Sequence, residues 1–158
     1  MQINRFSFGG TAAIVASVAL IVGLDAAALP KVAIVSSLLI VALADNLTDS
    51  LSIHVYQESE RLEPRKAFLA TITNFTARLF VSLSFVLLVL LLPPGAAVVA
   101  ALAWGLLLLG LLSWIIARQR RVRPIPEIAK HLAVAAIVIF VAEAIGEWIP
   151  ALLALPGR

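Results

Sequence analysis

Five apolar runs, each long enough to cross a bilayer and separated only by short polar connections, constrain this chain more than any other feature. A spanning helix needs ~20 mostly apolar residues. The runs cover about residues 8–24, 32–56, 66–92, 96–116 and 127–149. Asp25 and Pro30 close the first run, Pro64 precedes the third, and Pro93-Pro94-Gly95 forces the turn after it. Pro126 occupies a position that a first helical turn tolerates, and Trp148-Ile149-Pro150 ends the last run. The chain is 62% hydrophobic and 13% charged, with mean hydropathy +1.07. Soluble domains average ~45–50% apolar and ~25% charged residues. A soluble fold of 158 residues has too little interior for so much apolar surface. The expectation is therefore an all-α polytopic membrane protein, one domain over residues 1–158. A soluble enzyme, a nucleic-acid binder and a disordered tail do not fit. With no cysteine, disulfides and thiolate metal sites are ruled out.

Orientation follows from lysine and arginine. One side collects Arg5, Arg61, Arg65, Lys66, Arg118, Arg120, Arg121, Arg123 and Lys130, whereas the other has Lys31 and Arg158. This places the N-terminus in the cytoplasm and the C-terminus outside. Arg5, the first run and Ala26-Ala27-Ala28 loosely resemble a signal peptide, but the run is long for one and Asp25 sits beside the cleavage position. The run is read as a span. The run Arg118-Gln119-Arg120-Arg121-Val122-Arg123 is read as a topology signal facing anionic lipid, not nucleic acid.

The spans contain charges that lipid does not solvate. Asp45, Asp49, Arg78 and Glu143 fall at membrane depth, where insertion scales put an Asp or Arg at ~2.5–3.5 kcal/mol. Spans two and three form a hairpin with its loop in the cytoplasm. At ~1.5 Å per residue, Asp49 and Asn74 lie about 9 Å deep, and Asp45 and Arg78 about 15 Å. Each pair on one helix is spaced i, i+4 and shares a face. Two carboxylates against one guanidinium leave one negative charge. The reading is either a structural clamp or a cation site, with oxygen donors from Asp45, Thr48, Asp49, Ser52 and Asn74 suited to a hard or borderline divalent ion. Glu143 could line an exit or a proton path, or simply be hydrated from outside.

Two carboxylate–histidine pairs sit at the cytoplasmic face. His54 and Glu58 end span two, and Glu127 and His131 begin span five, both at i, i+4. That spacing can hold a transition metal, and ordinary helix surfaces show it too. Gly9, Ala13 and Ser17 form a small-residue stripe on span one. It permits close helix packing, either within one subunit or at a homodimer seam.

The layout resembles the vacuolar iron transporter family. The similarity lies in Phe6-Ser7-Phe8-Gly9-Gly10 at the entry to span one and in the polar end of span two, Gln57-Glu58-Ser59-Glu60. Pro93-Pro94, the basic loop after span four and Ala144-Ile145-Gly146 also fit. The resemblance implies a five-span dimer that exports ferrous iron or manganese in exchange for protons, along a path lined by spans one and two. The chain departs from the family at Gly9-Gly10-Thr11, where the family carries an acidic residue before a glycine. A family methionine falls at Asp49 and an acidic position at Ile53, and the loop from Ser59 to Pro64 is too short for the family's cytoplasmic metal-gathering helices. Asp45, Asp49 and His54 would then stand in for the lost ligands.

The expected function is transport of a divalent cation, Fe²⁺ or Mn²⁺, with no permanently bound cofactor. The protein would act as a homodimer in the plasma membrane of a prokaryote. The alternative is a non-transporting membrane scaffold whose buried charges only clamp helices. Enzymatic activity is not expected, because no serine and histidine fall together at one depth.

Overall fold

The computed structural model describes residues 3–59 and 63–154, with side chains from residue 10 in the first helix and up to residue 56 in the second. They form five helices: α1 (Ile3–Ala26), α2 (Lys31–Ser59), α3 (Pro64–Leu91), α4 (Pro94–Gln119) and α5 (Pro124–Leu153). Four of them, α2 to α5, are long and apolar enough to cross a membrane, and α1 contributes the shorter apolar run Gly10–Ala26. No strand occurs among the described residues. The chain is a polytopic, all-α membrane protein.

Helix ends follow local chemistry. Pro64, Pro94 and Pro124 each stand in a first turn, where the missing N–H costs nothing. Pro150 does not stop α5, which continues to Leu153. Only one turn follows it, so the ring deprives the helix of a single hydrogen bond. The α1 and α4 termini close in the same way. Leu29 N–H reaches the Leu24 carbonyl and Ala28 N–H that of Asp25, while Val122 reaches Ala117 and Arg121 reaches Arg118. Both turns place a non-glycine residue, Ala28 or Arg121, at φ 55°. Lys31, a cation on the poorly charged side, donates from Nζ to the Leu90 and Leu92 carbonyls at 2.7 and 3.1 Å. It thereby satisfies the negative C-terminal end of α3.

Helix α1 is the hub and packs against all four others. Its residues Ile14, Val18, Ile21 and Val22 join Leu38, Phe85 and Leu109 in one apolar core. Two glycine contacts set the distances. A Cβ at Gly146 on α5 would collide with the Gly23 carbonyl oxygen of α1, and one at Gly105 on α4 would lie 2.5 Å from Val18 Cγ2. Neither helix could approach α1 so closely with a larger residue.

The hub position corrects the reading of the small-residue stripe. Ala13 and Ser17 are each only 3% exposed within one subunit, so they cannot also form a homodimer seam. The Gly9 position lies outside the described side chains.

The other helices surround α1 in the order α2, α3, α4, α5, and the ring does not close. Helices α2 and α5 make no substantial contact. Between them lies a groove of about 890 Å³. Ala16, Ala19 and Gly23 of α1 form its floor, and Asp45 of α2 and Ile145 and Ile149 of α5 stand on its walls.

Candidate functional site

The hairpin of α2 and α3 brings the membrane-depth charges together. Helix α2 buries Leu38, Ala42, Asn46 and Ser50, four residues apart, toward the bundle. Helix α3 buries Asn74, Arg78 and Ser82 at the same spacing. Residues at that spacing lie along one face, so a polar ridge of one helix meets a polar ridge of the other.

Arg78 is the centre of the cluster, with its side chain 3% exposed. Its Nη2 donates to Asp45 Oδ2 at 2.6 Å and its Nη1 to Asp49 Oδ2 at 2.9 Å. Its Nε donates to Asn46 Oδ1 at 2.8 Å. Asn74 Nδ2 donates to the same Asp49 oxygen at 3.3 Å. The rigid fork of a guanidinium suits this arrangement, because three acceptors are met by one planar group.

The carboxylates are less enclosed than their partner. The Asp45 side chain is 52% exposed and that of Asp49 38%. Each uses only Oδ2, and neither Oδ1 has a partner among the described residues. Three buried atoms beside them, Asn46 Nδ2, Ser50 Oγ and Asn74 Oδ1, also lack a partner there. The cluster therefore carries a formal charge of −1 and has unused oxygen lone pairs. Asp45 connects it to the groove, where it is the only charged residue among those that line the space.

Thr48 and Ser52 donate to the carbonyls of Ala44 and Thr48 at 2.8 and 2.9 Å. Their hydroxyl hydrogens stay on their own helix, as serine and threonine often arrange in apolar surroundings. Glu143 is exposed on α5 and does not line the groove, although its neighbour Ala142 does. It is not placed on a path from the Arg78 cluster.

Of the two carboxylate–histidine pairs, Glu127 and His131 each meet a different partner. His131 Nδ1 lies 2.8 Å from Ser113 Oγ of α4. Ser113 is fully buried and gives its hydrogen to the Leu109 carbonyl at 2.6 Å. The histidine must then be the donor in that contact. Glu127 Oε1 accepts from Lys130 Nζ at 3.0 Å. His54 Nδ1 lies 3.4 Å from Thr71 Oγ1, whose hydrogen goes to the Ala67 carbonyl at 2.9 Å. Glu58 lies outside the described side chains. Among the described residues, no group of three His, Cys, Asp or Glu could hold a metal ion.

Several participants escape a reading of sequence alone. Asn46 belongs to the cluster and Ser50 lies on the same buried ridge one turn on, and their signal is the four-residue spacing from Leu38 through Ala42. Ser113 and His131 do lie at one depth, contrary to expectation. The serine has no surface and no spare hydrogen, so the contact ties α4 to α5 and does not present a nucleophile. Trp104 Nε1, in mid-span, donates to Ser84 Oγ at 3.0 Å, which answers its need for a partner in lipid. Arg118 stacks over Trp114 with 5.1 Å between guanidinium carbon and ring centre, at the basic end of α4.

No family model, curated protein or solved structure matches the chain.

Proposed function

We propose that the protein is a membrane transporter for a cation, with Asp45 and Asp49 as the in-membrane binding groups and Arg78 as the residue that positions them. One observation carries the reading. Two half-exposed carboxylates share a single buried guanidinium, and each keeps one oxygen without a partner among the described residues. A purely structural clamp would be expected to neutralise itself, because uncompensated charge in lipid is costly. This cluster keeps a surplus negative charge and spare oxygen donors.

The donors are hard, so a divalent ion such as Mn²⁺ or Fe²⁺ is the proposed cargo. Asn74 Oδ1, on the residue that binds Asp49, is buried without a partner among the described residues and would serve as a further oxygen ligand. A second copy of the chain, making a homodimer, would complete a coordination shell of ~6. The Arg-rich end faces the cytoplasm by the positive-inside rule, which fits the plasma membrane of a prokaryotic cell. The resemblance to vacuolar iron transporters supports export coupled to protons, with ligands different from those of the family.

The saturation of Arg78 by three acceptors favours a second reading, a scaffold subunit in which the cluster only locks α2 to α3. Mn²⁺ flux in proteoliposomes, with and without a pH gradient, separates the two. The transporter reading expects saturable flux that Asp49→Asn abolishes, and a Mn²⁺-dependent rise in melting temperature that the same substitution removes. Flux and melting that are indifferent to Mn²⁺, Fe²⁺ and other divalent ions would establish the scaffold.

A further inference from the structure

The groove between α2 and α5 is built for a different ligand from a hydrated metal ion. Its volume of about 890 Å³ falls within the ~300–1,000 Å³ of sites that enclose small organic molecules. Such sites are mostly apolar with a few placed polar groups. Here the walls are Leu20, Leu24, Val41, Ile145 and Ile149, and the one charged group among the lining residues is Asp45. The groove starts beside that carboxylate and runs toward Leu29, Pro150 and Leu153, at the end of the bundle opposite the arginine run.

A divalent ion holds its water tightly, and aliphatic walls offer nothing to replace it. An organic cation has weakly held water and apolar substituents that gain from leaving water. Its charge would meet Asp45 in surroundings of low dielectric, where an opposite charge counts for far more than in water. The free Asp45 Oδ1 and the surplus charge of the cluster supply the counter-charge without displacing Arg78.

We infer that this groove binds lipophilic organic cations, such as quaternary phosphonium or ammonium ions with apolar substituents, with Asp45 as their counter-ion. The inference rests on the geometry of the groove and not on metal transport. Binding would reach the protein laterally from the bilayer or from the outer end, and it would compete with any cation held at Asp45.

The test is equilibrium binding of radiolabelled tetraphenylphosphonium to the protein in lipid nanodiscs, with empty nanodiscs subtracted. Tetraphenylborate, of the same shape and opposite charge, is the control. The proposal expects saturable phosphonium binding, none for the borate, and at least a tenfold loss of affinity in Asp45→Asn. Ala19→Phe should cause a similar loss by filling the floor of the groove, with Arg78, Asp45 and Asp49 untouched. It decides the matter if Asp45→Asn fails to fold. Equal binding of both ions, or affinity within twofold of the original in Ala19→Phe, overturns the proposal. Absence of saturable binding assigns the groove to acyl chains and overturns it too. So does a spin label at Ala19→Cys that shows a second copy packed across the groove. Because the readout is binding, a protein without Mn²⁺ flux can still pass, and one with flux can fail.

Discussion

The hairpin of α2 and α3 and that of α4 and α5 use the same packing device with opposite contents. Helix α4 buries Ala97, Ala101, Gly105, Leu109, Ser113 and Ala117, each four residues after the last. Small residues let backbones approach, and dispersion then holds the helices. In α2 and α3 the equivalent ridges carry Asn46, Ser50, Asn74, Arg78 and Ser82. Each hairpin also holds one histidine against a hydroxyl whose hydrogen goes to a carbonyl one turn back. The difference is therefore not architectural. One hairpin shows that this fold packs without charge, and so the charges of the other need another explanation. The comparison teaches that the Arg78 cluster is an added device within a scaffold that does not require it.

The largest test of that contrast is Arg78→Met. It leaves the half-exposed Asp45 and Asp49 without their guanidinium at membrane depth, where insertion scales put an uncompensated Asp at ~2.5–3.5 kcal/mol. Thermal or denaturant unfolding in mild detergent should show a loss of that order. Arg78→Lys should recover only part of it, because an ammonium cannot meet Asn46, Asp45 and Asp49 with one planar fork. A cost below ~1 kcal/mol for Arg78→Met would mean that the carboxylates are solvated or protonated without help. The contrast between hairpins would then fail.

The register of the polar hairpin was legible because both helices start from marked boundaries and rise by a fixed amount per residue. Depth alone levels Asp45 with Arg78 and Asp49 with Asn74, and both contacts occur. Depth does not show that Arg78 reaches Asp49 as well, since a long side chain spans a full turn. Spacing says which residues share a face and not what that face meets. Glu127 and His131 share a face, yet Lys130 and Ser113 are nearer partners. Ala13 and Ser17 are a packing stripe as their sizes suggest, but only the central place of α1 shows that the subunit itself consumes it. The groove was not legible at all, because it depends on two helices distant in sequence failing to touch.

Gly146→Ala is the next largest effect, and it probes packing outside both polar ridges. A Cβ there collides with backbone, the Gly23 carbonyl oxygen, and backbone cannot swing aside as a side chain does. Helices α1 and α5 would have to part, at about 1–3 kcal/mol for overpacking. Gly95→Ala is the control, with nothing within 4 Å of the added carbon. Similar unfolding midpoints for the two variants would contradict the close crossing.

Ser113→Ala asks how much a neutral tie contributes beside the charged one. It removes the acceptor of His131 Nδ1–H and leaves a part-buried donor unmatched. The expected cost is about 1–2 kcal/mol, the usual range for such a loss and well below that of Arg78→Met. A cost equal to that of Arg78→Met would show that the apolar hairpin depends on polar contacts as heavily as the charged one.

The smallest effects lie in the loops and carry the opposite sign. Ala28 and Arg121 both occupy φ 55°, where a Cβ crowds the following carbonyl and glycine does not. Ala28→Gly keeps the Schellman hydrogen bonds of α1 and relieves that strain, so stability should rise by about 0.5–1 kcal/mol, less what the unfolded chain gains in freedom. Arg121→Gly relieves the same strain but removes a cation from the C-terminal end of α4, where it is worth about 0.3–1 kcal/mol. Arg121→Gly should therefore stabilise less than Ala28→Gly, and the difference between them reports what the arginine side chain contributes. If both raise the unfolding midpoint equally, the arginine contributes nothing to the C-terminal end of α4. Its place beside the bilayer would then be explained by topology and lipid contact only.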